Sequence, residues 1–191
     1  MTSETNKTYK VGTLIYTGSA VVILFCWMLW GDFAWSMKER AVGSIATLMV
    51  KSFGISDLTF SLLIVSFPSF TNIFLGPIIS YISDRHRGKY GRRIPFLMFT
   101  IPFIVIGMIG MGFSPWLGTA LAGAAGEQFL TVKQFQLAVF AVFWISLDFG
   151  TTLNGALFNA LVNDVVPQEL LGRFFAFFRA ISLGAGIFFN A

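Results

Sequence analysis

Five stretches of this 191-residue chain each run for about 20 residues or more with few charges, and most of its 13 basic and 9 acidic residues fall at their ends or between them. A helix needs about 20 apolar residues to cross the ~30 Å hydrocarbon core of a bilayer. Water is absent there, so a single run of this kind can satisfy its own backbone only as a helix. The expected spans are about 18–48, 57–82, 94–115, 135–162 and 172–191, forming one transmembrane domain over 1–191. The fold class is all-α, a polytopic membrane helical bundle. Composition agrees: 55% of residues are hydrophobic and 12% charged, against roughly 25% charged in soluble domains. The opening MTSETNKTYK carries two lysines ahead of an apolar run that is too long for a signal sequence and lacks a small-residue cleavage site, so a retained first span is expected. The single cysteine, Cys26, allows no intrachain disulfide and acts as a small hydrophobe.

The segments between spans carry turn chemistry. FGISD at 53–57 ends in Asp57, suited to cap the second span, and Pro115 is expected to close the third. The stretch 117–134 reads as interfacial or re-entrant, with Glu127 and Lys133 facing water. Pro167 stops the fourth span and Gly172 permits a change of direction. Lys7, Lys10, Arg85, Arg87, Lys89, Arg92, Arg93 and Arg173 fall on one side, against Lys38, Arg40, Lys51 and Lys133 on the other. The positive-inside rule therefore puts the N-terminus in the cytoplasm. Because the cations sit in clusters between apolar segments, they point to the headgroups of a lipid bilayer and not to nucleic acid.

Residue order in the most basic loop, GPIISYISDRHRGKYGRRIPF, carries more than charge. It resembles the signature between the second and third helices of major facilitator superfamily transporters, G-x-x-x-D-R-x-G-R-R/K. Ser80 stands at the first glycine, Asp84 and Arg85 match D-R, and Gly91, Arg92 and Arg93 match G-R-R, with HRGKY in place of the usual single residue. The longer form is similar to that of the glycoside-pentoside-hexuronide cation symporters and the sucrose-type proton symporters. NDVVPQELLGRFFAFFRAISLGAGIFFN also resembles bacterial members of the superfamily. The resemblance implies that Asp84, Arg85, Gly91, Arg92 and Arg93 form a cytoplasmic gate that opens as two helical halves rock. Physically, Asp84 would end the second span, where the macrodipole disfavours an anion, and the arginines can supply charge-assisted hydrogen bonds. A purely topogenic loop is the simpler alternative.

Ionisable groups inside a span cost about 2.5 to 3.5 kcal/mol each at the helix centre, so each one is a candidate for function. In the first span Phe25, Met28, Asp32, Trp35 and Glu39 share a stripe at helical spacing, while Trp27 and Trp30 point elsewhere. Carboxylates accept hydrogen bonds from sugar hydroxyls and an indole covers the C–H face of a pyranose. The same carboxylates suit a coupling proton or sodium ion. The alternative places Trp35 and the Lys38–Arg40 triplet at the membrane interface. In the fourth span Trp144, Asp148, Thr152, Gly155 and Asn159 form a second stripe, with helix packing as the alternative. Arg179 either pairs with a carboxylate of the first or fourth span or snorkels to headgroups.

These readings point to a secondary transporter, a symporter coupling H+ or Na+ to a small-molecule substrate, a sugar or glycoside, by alternating access. Nucleoside and drug transport remain alternatives. No metal-ligand cluster, nucleophile–base pair or phosphate loop stands out, so neither an enzyme nor a bound metal or cofactor is expected. The resembled transporters have twelve spans, so this chain is expected to be their N-terminal part, lacking a C-terminal transporter half. A non-transporting remnant or a subunit needing a partner is the alternative. The resemblance implies residence in a bacterial inner membrane.

Overall fold

The computed structural model describes residues 8–11, 14–89, 91–125 and 130–190. Lys7, Tyr90 and Glu127 lie outside the described residues. Five helices carry the fold: α1 Gly18–Ser52, α2 Asp57–Arg85, α3 Ile94–Ala125, α4 Val132–Val165 and α5 Gln168–Asn190. All five are long and apolar enough to cross a membrane. Ahead of them stands a small antiparallel hairpin, β1 Thr8–Val11 with β2 Leu14–Thr17, pairing Thr8 with Thr17 and Val11 with Leu14. Its Thr, Tyr, Val, Leu and Ile residues favour extended backbone. The all-α reading holds for the spans and had no place for this hairpin.

Helix ends differ from expectation in informative ways. Helix α3 runs through Pro115 to Ala125, taking in much of the segment expected to be interfacial. A proline withholds its own N–H from the carbonyl four residues earlier, here Met111. The Ser114 hydroxyl donates to that carbonyl at 2.8 Å, and the Pro115 carbonyl accepts from Gln136 Nε2 at 3.2 Å. With the one carbonyl the proline frees, that of Met111, satisfied by its neighbour, the helix has no reason to stop. Ser56, not Asp57, caps α2, its hydroxyl accepting from the Thr59 amide at 3.3 Å. The break after α4 falls at Val166 and Pro167, and Gly172 lies within α5. Helix α2 contains one π turn, Leu62–Ser66, followed by Pro68 and, further on, Pro77.

Contacts divide the chain into two compact units, one drawn from Met1–Ser44 and Leu161–Ala191, the other from Ile45–Ala160. In the second unit, α3 and α4 pack through small residues. A Cβ on Gly107 would come within 2.6 Å of the Leu147 amide nitrogen, one on Gly110 would strike the Phe143 ring, and one on Gly118 would strike Gln136. From the other side, Gly150 of α4 rests on Ile104 and the Thr100 carbonyl. Lipid tails are as apolar as leucine, so such close backbone approach, and not burial from water, holds membrane helices together. Ser146 Oγ donates to the Phe103 carbonyl at 3.2 Å and Asn154 Nδ2 to Thr100 Oγ1 at 3.0 Å, fixing the register. In the first unit, the Phe25 and Phe174 rings meet edge to face at 5.0 Å, joining α1 to α5. Trp27, Trp30, Ile187 and Phe188 are exposed, as residues facing lipid tails should be.

Candidate functional site

The basic loop between α2 and α3 is built around Gly91. Its φ of 85° is open to glycine at little cost, and its amide donates to the Gly88 carbonyl at 3.1 Å. This turn delivers Arg93 to the first turn of α3, where its carbonyl accepts from the Leu97 amide at 3.0 Å. The side chain reaches back to the end of α2: Nη1 donates to Ser83 Oγ at 3.0 Å and Nη2 to Asp84 Oδ1 at 2.7 Å. The guanidinium is buried, whereas the Asp84 side chain is 54% exposed. A cation here offsets both the Asp84 charge and the negative end of the α2 dipole. Arg85 instead lies over the Tyr81 ring, 4.4 Å from its centroid. Arg92 is exposed.

On α4, Trp144 and Asp148 are buried against α2. The indole N–H of Trp144 donates to the Leu63 carbonyl, inside the π turn, at 3.0 Å. One turn further, Asp148 Oδ2 lies 2.5 Å from Thr71 Oγ1, which is also 3.0 Å from the Pro68 carbonyl. A hydroxyl has one proton to donate, so it cannot serve both acceptors at once. With Asp148 ionised, the Thr71 proton points to the carboxylate. With Asp148 protonated, the acid donates to Thr71 Oγ1 and the Thr71 proton turns to Pro68. Thr152 is half-buried and Asn159 exposed, while a Cβ on Gly155 would meet nothing within 4 Å.

On α1, Asp32 is 5% exposed and its Oδ2 has no hydrogen-bond partner among the described residues. Trp35 and Glu39 are joined, Nε1 donating to Oε1 at 2.8 Å, and the Lys38 ammonium sits 3.6 Å from the Trp35 ring centroid. One face of that indole therefore already holds a cation. Ser36 and Arg40 turn toward α5: Ser36 Oγ approaches Ser182 Oγ at 3.4 Å, and Arg40 Nη2 donates to the Ser182 carbonyl at 3.2 Å. Arg40 also packs on Gly186, where a Cβ would lie 2.6 Å from Nη2. Arg179 is exposed and forms no ion pair among the described residues.

Thus the structure joins Asp84 to Arg93 and Trp35 to Glu39, and it sets Trp144 and Asp148 of α4 one turn apart against α2. Thr71, Ser83 and Ser182 were not singled out from sequence, and Arg40 was read there only as a charge at the membrane interface. For Thr71 a signal existed: a hydroxyl residue three positions after a proline, within an otherwise apolar span.

Five apolar helices carrying buried carboxylates and a charge-paired inter-helix loop define a polytopic integral membrane protein. The chain belongs to the family described as MFS/sugar transport protein, whose model matches residues 29–191. Among curated proteins it is similar to the sucrose transport protein SUC4 of Arabidopsis thaliana, 26% identical over 156 residues. That match covers 78% of this chain and 29% of the relative, so the chain spans less than a third of the relative's length. No solved structure matches it.

Proposed function

We propose that the protein is a proton-coupled transporter of a sugar or glycoside, working by alternating access about a site within the membrane. The observation that carries the reading is the Thr71 hydroxyl set between Asp148 and the Pro68 carbonyl. Gain or loss of one proton at Asp148 reverses the direction of the Thr71 hydrogen bond. That change is felt in α2 just after its π turn, and π turns recur at functional sites. Membership of a sugar transport family and similarity to a sucrose transport protein support the substrate class.

Asp32, buried with an acceptor oxygen that has no partner among the described residues, is assigned to a substrate hydroxyl or a second coupling cation. Thr152 and Asn159, on the same helix as Asp148, and Trp35, Glu39 and Arg179 are assigned to lining the substrate path. A pyranose stacking on Trp35 would use the ring face that Lys38 leaves open or displace that ammonium. The Asp84–Arg93 pair serves as the cytoplasmic latch, on the side where positive charge concentrates, and a second helical half supplies what it closes against.

Uptake of sucrose and of aryl glycosides by the full-length protein in proteoliposomes tests this, with proton and sodium gradients imposed separately. Accumulation should follow the proton gradient. Asp148→Asn should abolish accumulation and retain exchange, and Thr71→Ser should preserve both where Thr71→Val impairs accumulation. Accumulation driven by sodium alone, or an unaltered Asp148→Asn protein, would refute the proton assignment.

A further inference from the structure

An apolar groove runs between α2 and α4, walled by Leu62, Leu63 and Phe67 on one side and by Leu137, Ala138 and Ala141 on the other. Its volume of about 470 Å³ is in the range of ligand sites, roughly 300–1,000 Å³. Thr59 and Gln134 line its other end, near the N-termini of both helices. From Thr59 to Phe67 is eight residues, about 12 Å at the helical rise. That is less than half the hydrocarbon thickness, so the groove belongs to one leaflet.

The polar end is electropositive. Lys133 opens α4, its ammonium 3.7 Å from where a Cβ on Gly54 would lie, in the turn before α2. Lys51 closes α1 with its ammonium over Phe60, 5.7 Å from the ring centroid, beside Thr59. Both lysines are exposed and neither forms an ion pair among the described residues. Two helix N-termini add partial positive charge. Among the described residues Asp57, in the first turn of α2, is the opposing carboxylate.

We infer that this groove binds an anionic phospholipid, one acyl chain lying between α2 and α4 and the headgroup phosphate meeting Lys51 and Lys133. An apolar protein segment would fit the walls equally well but would bring no anion to the two ammoniums, which have none among the described residues. The site stands apart from the carboxylates assigned to transport and does not depend on that reading.

A lysine near a membrane surface favours anionic lipid by roughly fivefold, so the pair should give about thirtyfold. Native mass spectrometry tests this on the full-length protein, released from nanodiscs containing equal phosphatidylglycerol and phosphatidylcholine. One phosphatidylglycerol should remain bound, at about that preference. The Lys51→Gln/Lys133→Gln protein should bind the two lipids equally, and Ala138→Trp, which fills the groove, should bind neither at this site. Equal binding by the unaltered protein, or an undiminished preference in the double variant, overturns the inference. So does a crosslink from Ala138→Cys to a helix outside residues 1–191.

Discussion

Replacing Gly107 by alanine offers a sharp test of how α3 and α4 are held together. The new methyl carbon would lie 2.6 Å from the Leu147 amide nitrogen and within 2.8 Å of its Cα, whereas carbon atoms rest at about 3.5–4.0 Å. Backbone atoms cannot rotate out of the way, so the two helices must part locally by about 1 Å. Overpacking of this kind costs about 1–3 kcal/mol. Alanine also gains roughly 1 kcal/mol of helix propensity over glycine, which complicates the raw change. Gly112 supplies the control, since it lies on the same helix and a Cβ there meets nothing within 4 Å. The propensity gain is common to both substitutions, so Gly107→Ala should be less stable than Gly112→Ala by the clash itself, about 1–3 kcal/mol. Reversible unfolding in mixed micelles, followed by circular dichroism against denaturing detergent, reads that difference directly. Coincident midpoints for the two proteins would refute glycine-mediated packing as the bond between α3 and α4.

Arg93→Lys should weaken the join between α2 and α3, because one ammonium cannot reproduce the two-pronged contact with Ser83 and Asp84. Thermal unfolding should show a larger loss for it than for Asp84→Asn, whose carboxylate is exposed and worth at most about 1 kcal/mol. Trp144→Phe leaves the Leu63 carbonyl without its donor at a cost of about 1–3 kcal/mol, and hydrogen exchange should accelerate across the π turn before any other part of α2. Ser114→Ala strips the Met111 carbonyl of its donor beneath Pro115. It should destabilise the C-terminal turns of α3 by a similar ~1–3 kcal/mol, read as faster exchange over 112–125.

The five spans were legible because twenty apolar residues in sequence admit so few structures. Their ends were not, since a helix stops only when its freed backbone groups find nothing better. At Pro115 the decisive group was the Ser114 hydroxyl, one residue away, which takes the Met111 carbonyl that the proline leaves without a donor. Asp84 and Arg93 could be paired from residue order, because eight intervening positions are a short loop that can bring them back together. Arg40 read as a topological charge at the far end of the first span, yet it is anchored on Ser182. Nothing near Arg40 in sequence announces a partner so distant. The stripe logic found Trp144 and Asp148 but missed Thr71, for periodicity tells which residues share a face and not what that face meets.

The contact between Arg40 and the Ser182 carbonyl joins residues 142 positions apart. A ribosome adding roughly 5–20 residues per second needs on the order of 7–28 s to cover that distance. Through that interval a guanidinium already synthesised in the first helix must rest on water, headgroups or a chaperone, because its acceptor does not yet exist. The α3–α4 contact has no such wait, its glycines meeting a helix that follows at once. Assembly of this protein therefore has a built-in order: the α3–α4 pair first, and the α1–α5 contact only after α5 arrives.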